Sequence, residues 1–523
     1  MAIWTILIPL LPLLAAMLIG GLNFFKILDG EAGEKYTARI ALTAIGFSAA
    51  VGLGLLGANW FAGMDEAYSY GNWLSCGGLA VDFKLMTSGF NLTLASLFTL
   101  LLLIVMRFSV NYMHREAGFH RFFFILNLFA AAMLLLVLSA NAVFTFMGWE
   151  VAGVCSYWLI AYVYDRPVAA QNATRAFVTN RVGDGGFILA ISMALFWLGS
   201  ADWQVINTGA ADLTQMDATL LALGFALAAF AKSAQFPFTP WLARAVEGPT
   251  PSSAVFYGGV MTHAGVFLII QSRPLFEQAP LAMLVLALVG ALTAFCSYWV
   301  GLTQTDIKSS QIFATSAQLG LMFVECGLDF WNLAAWHLCA HAVVRSYLLL
   351  IAPSILYNTQ GRPTKSISPT FANFRWVFMA SLQRGWLEPA LDWALVKPIQ
   401  QLAKDMRYFD EHIVDSALGA PAPAIKAIAS LAQWEEQKMG ANLISEEDRF
   451  ALGSGLAGKL AEWVAALLHW FEFRFILRGV GRDSIRLGRH LGRAAIRFER
   501  LLLNPSYLAL FVLITLVVAR GYP

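Results

Sequence analysis

The chain has 523 residues, 58% of them hydrophobic and only 13% charged, with a formal net charge of +2 at neutral pH. That composition excludes a soluble globular domain. The small net charge says nothing by itself, because membrane proteins distribute charge by side rather than by total.

The first apolar stretch, Met1 to Leu22, lacks a basic leading region and an A-x-A-like cleavage site. It reads as a first membrane helix rather than a removable leader. Apolar runs of about 20 residues are long enough to span a bilayer as helices. They are expected at 4–25, 38–57, 89–106, 121–138, 142–163, 180–199, 219–236, 251–271, 280–302, 309–327, 331–357 and 501–519, making about twelve. Between the second and third lies YSYGNWLSCGGLAVDFKL, whose polar and aromatic alternation predicts a short hairpin on the membrane surface. The five cysteines (Cys76, Cys155, Cys296, Cys326 and Cys339) are scattered and show no CxxC spacing, so they read as small buried thiols.

The loops after odd-numbered spans carry Lys26, Lys35, Arg39, Arg107, Arg115, Arg121, Arg166, Arg175, Arg244, Lys308, Arg362 and Lys365. Those after even-numbered spans carry Asp65, Glu66, Asp202, Asp212, Asp217 and Asp329. Basic loops face the cytoplasm, so the amino terminus is expected outside it and the segment 358–500 inside.

The stretch Leu220 to Ile269 organises the rest. It starts as an apolar helix, meets Lys232, and breaks at Pro237 and Pro240. It breaks again at Pro249 and Pro251 before resuming with His263. A charge within a lipid-scale apolar helix is expensive and therefore functional by default. A proline break beside it frees backbone carbonyls that only protein or water can cover. Together these predict an ion path.

Further ionisable groups stand where lipid is expected. Glu150 sits in FTFMGWEVAGVCSYWL with no compensating base in that run, and Asp184 follows Arg181 in TNRVGDGGF near a predicted helix end. WHLCAHAVVRSYL places His337, His341 and Arg345 at four-residue steps, one stripe of a helix. Each charge at a helix centre costs about 2.5–3.5 kcal/mol, so their repetition argues for a polar path rather than isolated structural pairs. HxxxH alone is weak evidence for zinc. Histidine suits proton carriage, since its ordinary pKa of about 6.5 lies near neutrality. Guanidinium does not deprotonate, so Arg345 would fix local charge instead. No nucleotide-binding, GxSxG or haem-attachment pattern is present, no cofactor is expected in this chain, and the chain is not expected to be an enzyme itself.

The segment 358–500 mixes aromatics, acids, bases and prolines, and predicts amphipathic helices along the membrane or a partner. Within it, 433–449 reads as a solvated loop. Arg474, Arg478, Arg482, Arg486, Arg489, Arg493, Arg497 and Arg500 then form one basic face, suited to anionic lipid headgroups or an acidic partner.

In GWEVAGVCSYWLI, AFVTNRVGDGGF, FAKSAQFPFTPWLARAVEGPTPSSA, TDIKSSQIFATSAQLGLMF and WHLCAHAVVRSYLL, spanning about 90 to 350, the chain resembles a known family. It is that of the antiporter-like proton channels, which includes the NuoL subunit of respiratory complex I and multisubunit Na⁺/H⁺ antiporter relatives. The resemblance implies an all-α polytopic bundle with a broken helix near Lys232. It also implies a coupled pair Glu150–Lys232, a nearby acid Asp184, and a downstream relay of Lys308, His337 and His341. Three departures stand out: Tyr257 occupies a position where a histidine is usual, with His263 six residues on; Arg345 stands for a usual lysine; and 358–500 is too polar to supply the family's further spans.

These departures make the chain most similar to the DabB (MpsA) membrane subunits of inorganic-carbon pumps. That resemblance implies a DabA-like partner carrying a carbonic-anhydrase-like zinc site, with proton flow through this chain powering conversion of CO₂ to bicarbonate. The alternatives are a pumping subunit of complex I or an antiporter, and a structural membrane anchor. The expected organisation is 1–88 as N-terminal helices and hairpin, 89–357 as channel core, 358–500 as amphipathic region and 501–523 as a last membrane helix. The expected setting is a bacterial inner membrane, with lipid and a hetero-complex as surroundings and no nucleic acid.

Overall fold

The computed structural model describes residues 1–76, 79–304, 307–359 and 373–410. After a 3₁₀ turn at Ala2–Ile6 come α1 (Leu7–Phe24) and α2 (Gly30–Ala62), the latter opened by Asp29, whose carboxylate accepts from the Gly30 amide at 2.8 Å. β1 (Ala67–Cys76) and β2 (Leu79–Met86) pair antiparallel, from Ala67 opposite Met86 to Cys76 opposite Leu79. This is the expected hairpin. Its Lys84 ammonium donates to Asp202 at 2.7 Å, and its Tyr70 hydroxyl accepts from the Ile6 amide at 3.0 Å.

Next come α3 (Gly89–Tyr112), α4 (Phe119–Leu138), α5 (Ala142–Ile160), α6 (Pro167–Leu198) and the short α7 (Trp203–Gly209). α8 (Gln215–Lys232) is followed by α9 (Thr239–Arg244) and α10 (Thr250–Ser253), then by a π-helical turn at Ala254–Gly259 and α11 (Ala264–Gln271). The series continues with α12 (Arg273–Glu277), α13 (Pro280–Gly301), α14 (Ile307–Gly327) and α15 (Trp331–Thr359). The first eleven expected spans thus coincide with helices, while the twelfth, 501–519, lies outside the described residues, as does the arginine face 474–500. Among the described residues nine helical segments are long and apolar enough to cross a membrane. α8 and α14 are not among them, yet α8 is packed inside the bundle on most of its surface.

α2 is longer at both ends than the expected 38–57, and one further boundary bears on the site. The sixth span was expected at 180–199, but α6 begins at Pro167, the first-turn position that proline suits because its missing N–H needs no partner there. Asp184 consequently lies mid-helix rather than near an end. The polar stretch remains helical because Arg175 and Arg181 find carboxylates on other segments.

A continuous apolar core runs from α1 to α15. Close helix crossings use small residues, as packing without a hydrophobic drive between helices requires. A Cβ at Gly320 would stand 2.6 Å from the Gly290 carbonyl oxygen, so α13 and α14 meet backbone to backbone. Because successive spans alternate in direction, the hairpin, the segment before α8 and the loop Leu328–Phe330 share one end of the bundle. Asn207 bonded to the Gln271 carbonyl at 2.9 Å and Arg273 lying 5.9 Å from the Trp331 ring centroid place α11's exit there too.

At the other end the helices Arg375–Leu382 and Leu387–Leu391 lie against the bundle. Arg175 grips Asp392 with two bonds of 2.7 and 2.6 Å and reaches Glu388 at 3.2 Å. Arg244 of α9 holds Glu388 at 2.8 Å. The amphipathic helix Lys397–Phe409 belongs to a second structural unit.

Candidate functional site

Two polar clusters lie inside the apolar bundle. The first is built on α5, α6 and the end of α8. Asn141 caps α5, its side-chain oxygen accepting from the Phe144 amide at 2.8 Å, which fixes where the helix starts. One face of α5 then presents Trp149, Glu150 and, a turn later, Gly153.

Lys232 ends α8 and has no exposed surface. Its Nζ donates to the Trp149 carbonyl at 2.9 Å and lies 4.9 Å from that indole's centroid. An ammonium in this setting keeps a partial hydration substitute, carbonyl below and π face beside. The Trp149 indole N–H donates to Asp184 at 2.8 Å, and Arg181 contacts the other Asp184 oxygen at 2.7 Å. Arg181 also forms an ion pair with Glu150. A Cβ on Gly153 would stand 3.4 Å from both Arg181 Nη2 and Lys232 Nζ, so the two cations are close neighbours across the glycine. The cluster therefore holds two carboxylates and two cations around one indole.

Glu150 has no compensating base in its own run, and Arg181 supplies one from α6; Lys232 binds the backbone carbonyl one residue before Glu150, within the same cluster. Sequence reasoning did not single out Arg181 as a site residue. Its signal was present in the three-residue step to Asp184, which places both on one helix face.

The second cluster joins α11, α14 and α15. His263 Nε2 and His341 Nδ1 are 2.9 Å apart, and Arg345 Nε donates to His341 Nε2 at 3.2 Å. Guanidinium only donates. His341 Nε2 must therefore accept, so neutral His341 carries its proton on Nδ1 and donates to His263. His263 in turn keeps its proton on Nδ1, which is buried without a hydrogen-bond partner among the described residues. Gln235 Oε1, Tyr257 Oη, Thr262 Oγ1 and Glu150 Oε1 share that condition. Buried polar atoms are nearly always satisfied, so these orphaned atoms mark polar positions inside the apolar bundle. The chain joins the two clusters at the break after Lys232. There the Ser233 hydroxyl after Lys232 donates to the Thr262 carbonyl before His263 at 2.7 Å.

His337 does not continue the chain from His341. Their rings are 6.0 Å apart and perpendicular. Instead His337 Nδ1 faces Glu325 at 2.9 and 3.1 Å, and its Nε2 faces Gln318 Oε1 at 2.9 Å. A groove of about 470 Å³ lined by Gln311, Gln318, His337, His341 and Arg345 runs between α14 and α15. Lys308 lies in the first turn of α14 and joins neither cluster among the described contacts.

Comparison with known proteins places this arrangement. Residues 139–378 match the family described as NADH:quinone oxidoreductase/Mrp antiporter, TM, and residues 73–123 match NADH-Ubiquinone oxidoreductase (complex I), chain 5 N-terminus. The chain is 37% identical over 376 residues to the chloroplastic NAD(P)H-quinone oxidoreductase subunit 5 of Nephroselmis olivacea, covering 70% of this chain and 57% of that one. It is 34% identical over 360 residues to NADH-quinone oxidoreductase subunit L of Escherichia coli, covering 67% and 57%. The chain thus spans little more than half the length of these curated relatives.

Two solved structures share the fold. One is the Mrp complex from Dietzia sp. DQ12-45-1b, with TM-score 0.58, 24% identity, and 66% of this chain and 38% of that chain covered. The other is the archaeal membrane-bound sulfane sulfur reductase, with TM-score 0.60, 14% identity, and 73% and 80% covered.

Proposed function

From its similarity to NuoL-like and Mrp antiporter-like membrane subunits, we propose that this chain is such a subunit and conducts protons between its two buried polar clusters. The observation that carries this reading is Lys232, fully buried at a helix break and hydrogen-bonded to the Trp149 carbonyl beside the Glu150–Arg181–Asp184 cluster. Four formal charges there sum to none. Adding or removing one proton unbalances the group, and at 4 Å a unit charge pair is worth about 4 kcal/mol at an effective dielectric of 20. That is enough to bias protonation of the neighbours and so to couple events between the clusters. His263 and His341 then carry the proton onward by exchanging it across their shared bond. Glu150, Asp184, Lys232, Lys308, His263, His337 and His341 are the proposed relay, Lys308 by the family resemblance alone, and Arg345 fixes charge and tautomer.

The test is proton flux in sealed vesicles holding the full chain with its native partners. Wild-type vesicles should show flux, and Lys232→Ala should stop it at equal protein level. Wild-type flux in assembled Lys232→Ala overturns the reading.

Subunits of multisubunit membrane complexes are what the named relatives are, and a hetero-complex is proposed here. The leading placement is as a pumping subunit of a complex I or antiporter relative. The narrower placement, with a DabA-like zinc partner in inorganic-carbon uptake, is favoured by His263 contacting His341 while Tyr257 fills the usual histidine position. Copurification from native membranes separates the two: a zinc-containing soluble protein supports the second, quinone-reductase subunits the first.

A further inference from the structure

We propose that Glu325 is the terminal proton-exchange group of this chain, taking protons from His337 and releasing them at the Leu328–Phe330 end of the bundle. The proposal rests on the proton-conducting reading above and deepens it.

Depth in the membrane is the first argument. With a rise of about 1.5 Å per residue, His341 lies about 15 Å from the start of α15 at Trp331, and His337 about 9 Å from it. Glu325 stands two residues before the end of α14, about 3 Å from that same end of the bundle. The three groups form a descending ladder from mid-membrane to the surface. The loop beyond folds directly over it, the Phe330 amide donating to the Glu325 carbonyl at 2.8 Å, and Asp329 on that loop is exposed.

Chemistry is the second argument. His337 is flanked by two acceptors, the Glu325 carboxylate at Nδ1 and Gln318 Oε1 at Nε2. A ring between two acceptors can donate from either nitrogen, so each face of His337 has a partner for a proton in transit. The side chains of His337 and Glu325 are 20% and 17% exposed, and His337 also lines the groove. That groove also reaches His341, which bridges the 6.0 Å gap between the two rings by a polar, roomy route.

The step is a proton transfer that balances. His337 imidazolium breaks its Nδ1–H bond and becomes neutral, while a Glu325 oxygen forms the O–H bond. Glu325 then releases the proton to solvent at the loop and returns to carboxylate. Other titratable or charged groups near the pair are His341 and Arg345, on the same helix as His337, with His263 beyond His341, exposed Asp329 on the loop and buried Cys326 next to Glu325 in the chain. In a purely structural role Glu325 would serve only as a counter-ion, which any titratable replacement of a different charge would fail to restore.

The experiment measures proton flux across a pH series in sealed vesicles with the full chain and its native partners, comparing wild type, Glu325→Gln, Glu325→Asp and Glu325→His at matched abundance. Glu325→Gln should lower flux at least tenfold, and Glu325→Asp should restore most of it. Glu325→His should restore flux with a changed pH profile. Wild-type flux in Glu325→Gln overturns the proposal while leaving the wider reading intact. Restoration by Asp but none by His assigns Glu325 to a structural counter-ion role and likewise overturns it. Absence of flux in wild type removes the wider reading itself, a distinct result.

Discussion

His263 and His341, on α11 and α15, face each other ring nitrogen to ring nitrogen at 2.9 Å, with the Arg345 guanidinium closing the far side of His341. The bond is oriented. Arg345 donates to His341 Nε2, so the neutral pair holds its shared proton on His341 Nδ1, directed at His263, and onward transfer toward His337 requires His341 Nε2 to part from Arg345.

His263→Gln keeps a hydrogen-bonding side chain but removes the titratable ring. Proton flux should fall at least tenfold while the protein inserts normally, and His341→Ala should match it. Flux at wild-type rate in both would assign the pair to packing.

Arg345→Lys retains the charge but replaces a fixed fork with a rotatable ammonium. Abundance should stay near wild type while the pH profile of flux changes shape. An unchanged profile would mean the guanidinium does not set the orientation of the pair.

The first cluster makes a different prediction. Glu150→Gln and Lys232→Ala each remove one charge of the four-charge cluster, leave Arg181 paired with Asp184, and should stop transport with assembly intact. Arg181→Ala instead strands two carboxylates, Glu150 and Asp184, and should lower abundance or thermal stability as well. Equal stability in all three would contradict the shared role of Arg181.

Gly153 is the hinge of space between the cations. Gly153→Ala adds a methyl at ordinary contact distance, 3.4 Å from each, and should be tolerated. Gly153→Leu should wedge them apart and stop flux, at a stability cost of about 1–3 kcal/mol. Thermal unfolding and vesicle flux read the two effects separately.

The surface hairpin gives the pH test. Bonding to Asp202 raises the Lys84 pKa above 10.5, opposed by burial. A raised lysine contributes stability that is fully present below 10.5 and is lost as pH rises through the higher, folded-state value. The wild-type advantage over Lys84→Met, about 1 kcal/mol, should hold to pH 10 and shrink above it. A difference in melting temperature that is flat through the alkaline range would disprove the linkage.

Much of this was legible from the residues. Apolar length marked the helices, and Lys232, His263 and His341 declared themselves as ionisable groups within such runs. The partners did not. Arg181 sits in TNRVGD, a stretch polar enough to read as a helix end, until Pro167 is seen to start the helix a dozen residues earlier. Glu325 was not singled out in the sequence, because its partner His337 comes from another helix. Pairing across helices is a property of packing, which periodicity along one helix does not encode.

The π-helical turn at Ala254–Gly259 bears on which residue pairs with His341. A regular α-helix advances its side chains by about 100° per residue, and a π turn takes an extra residue to complete its circle. Which residue of the span meets His341 is therefore set by winding, not by counting letters from Pro249. His263 holds that seat, although it stands six positions after Tyr257. In this chain the partner of His341 is fixed by how the broken span winds, so the pairing belongs to the break as much as to the histidine itself.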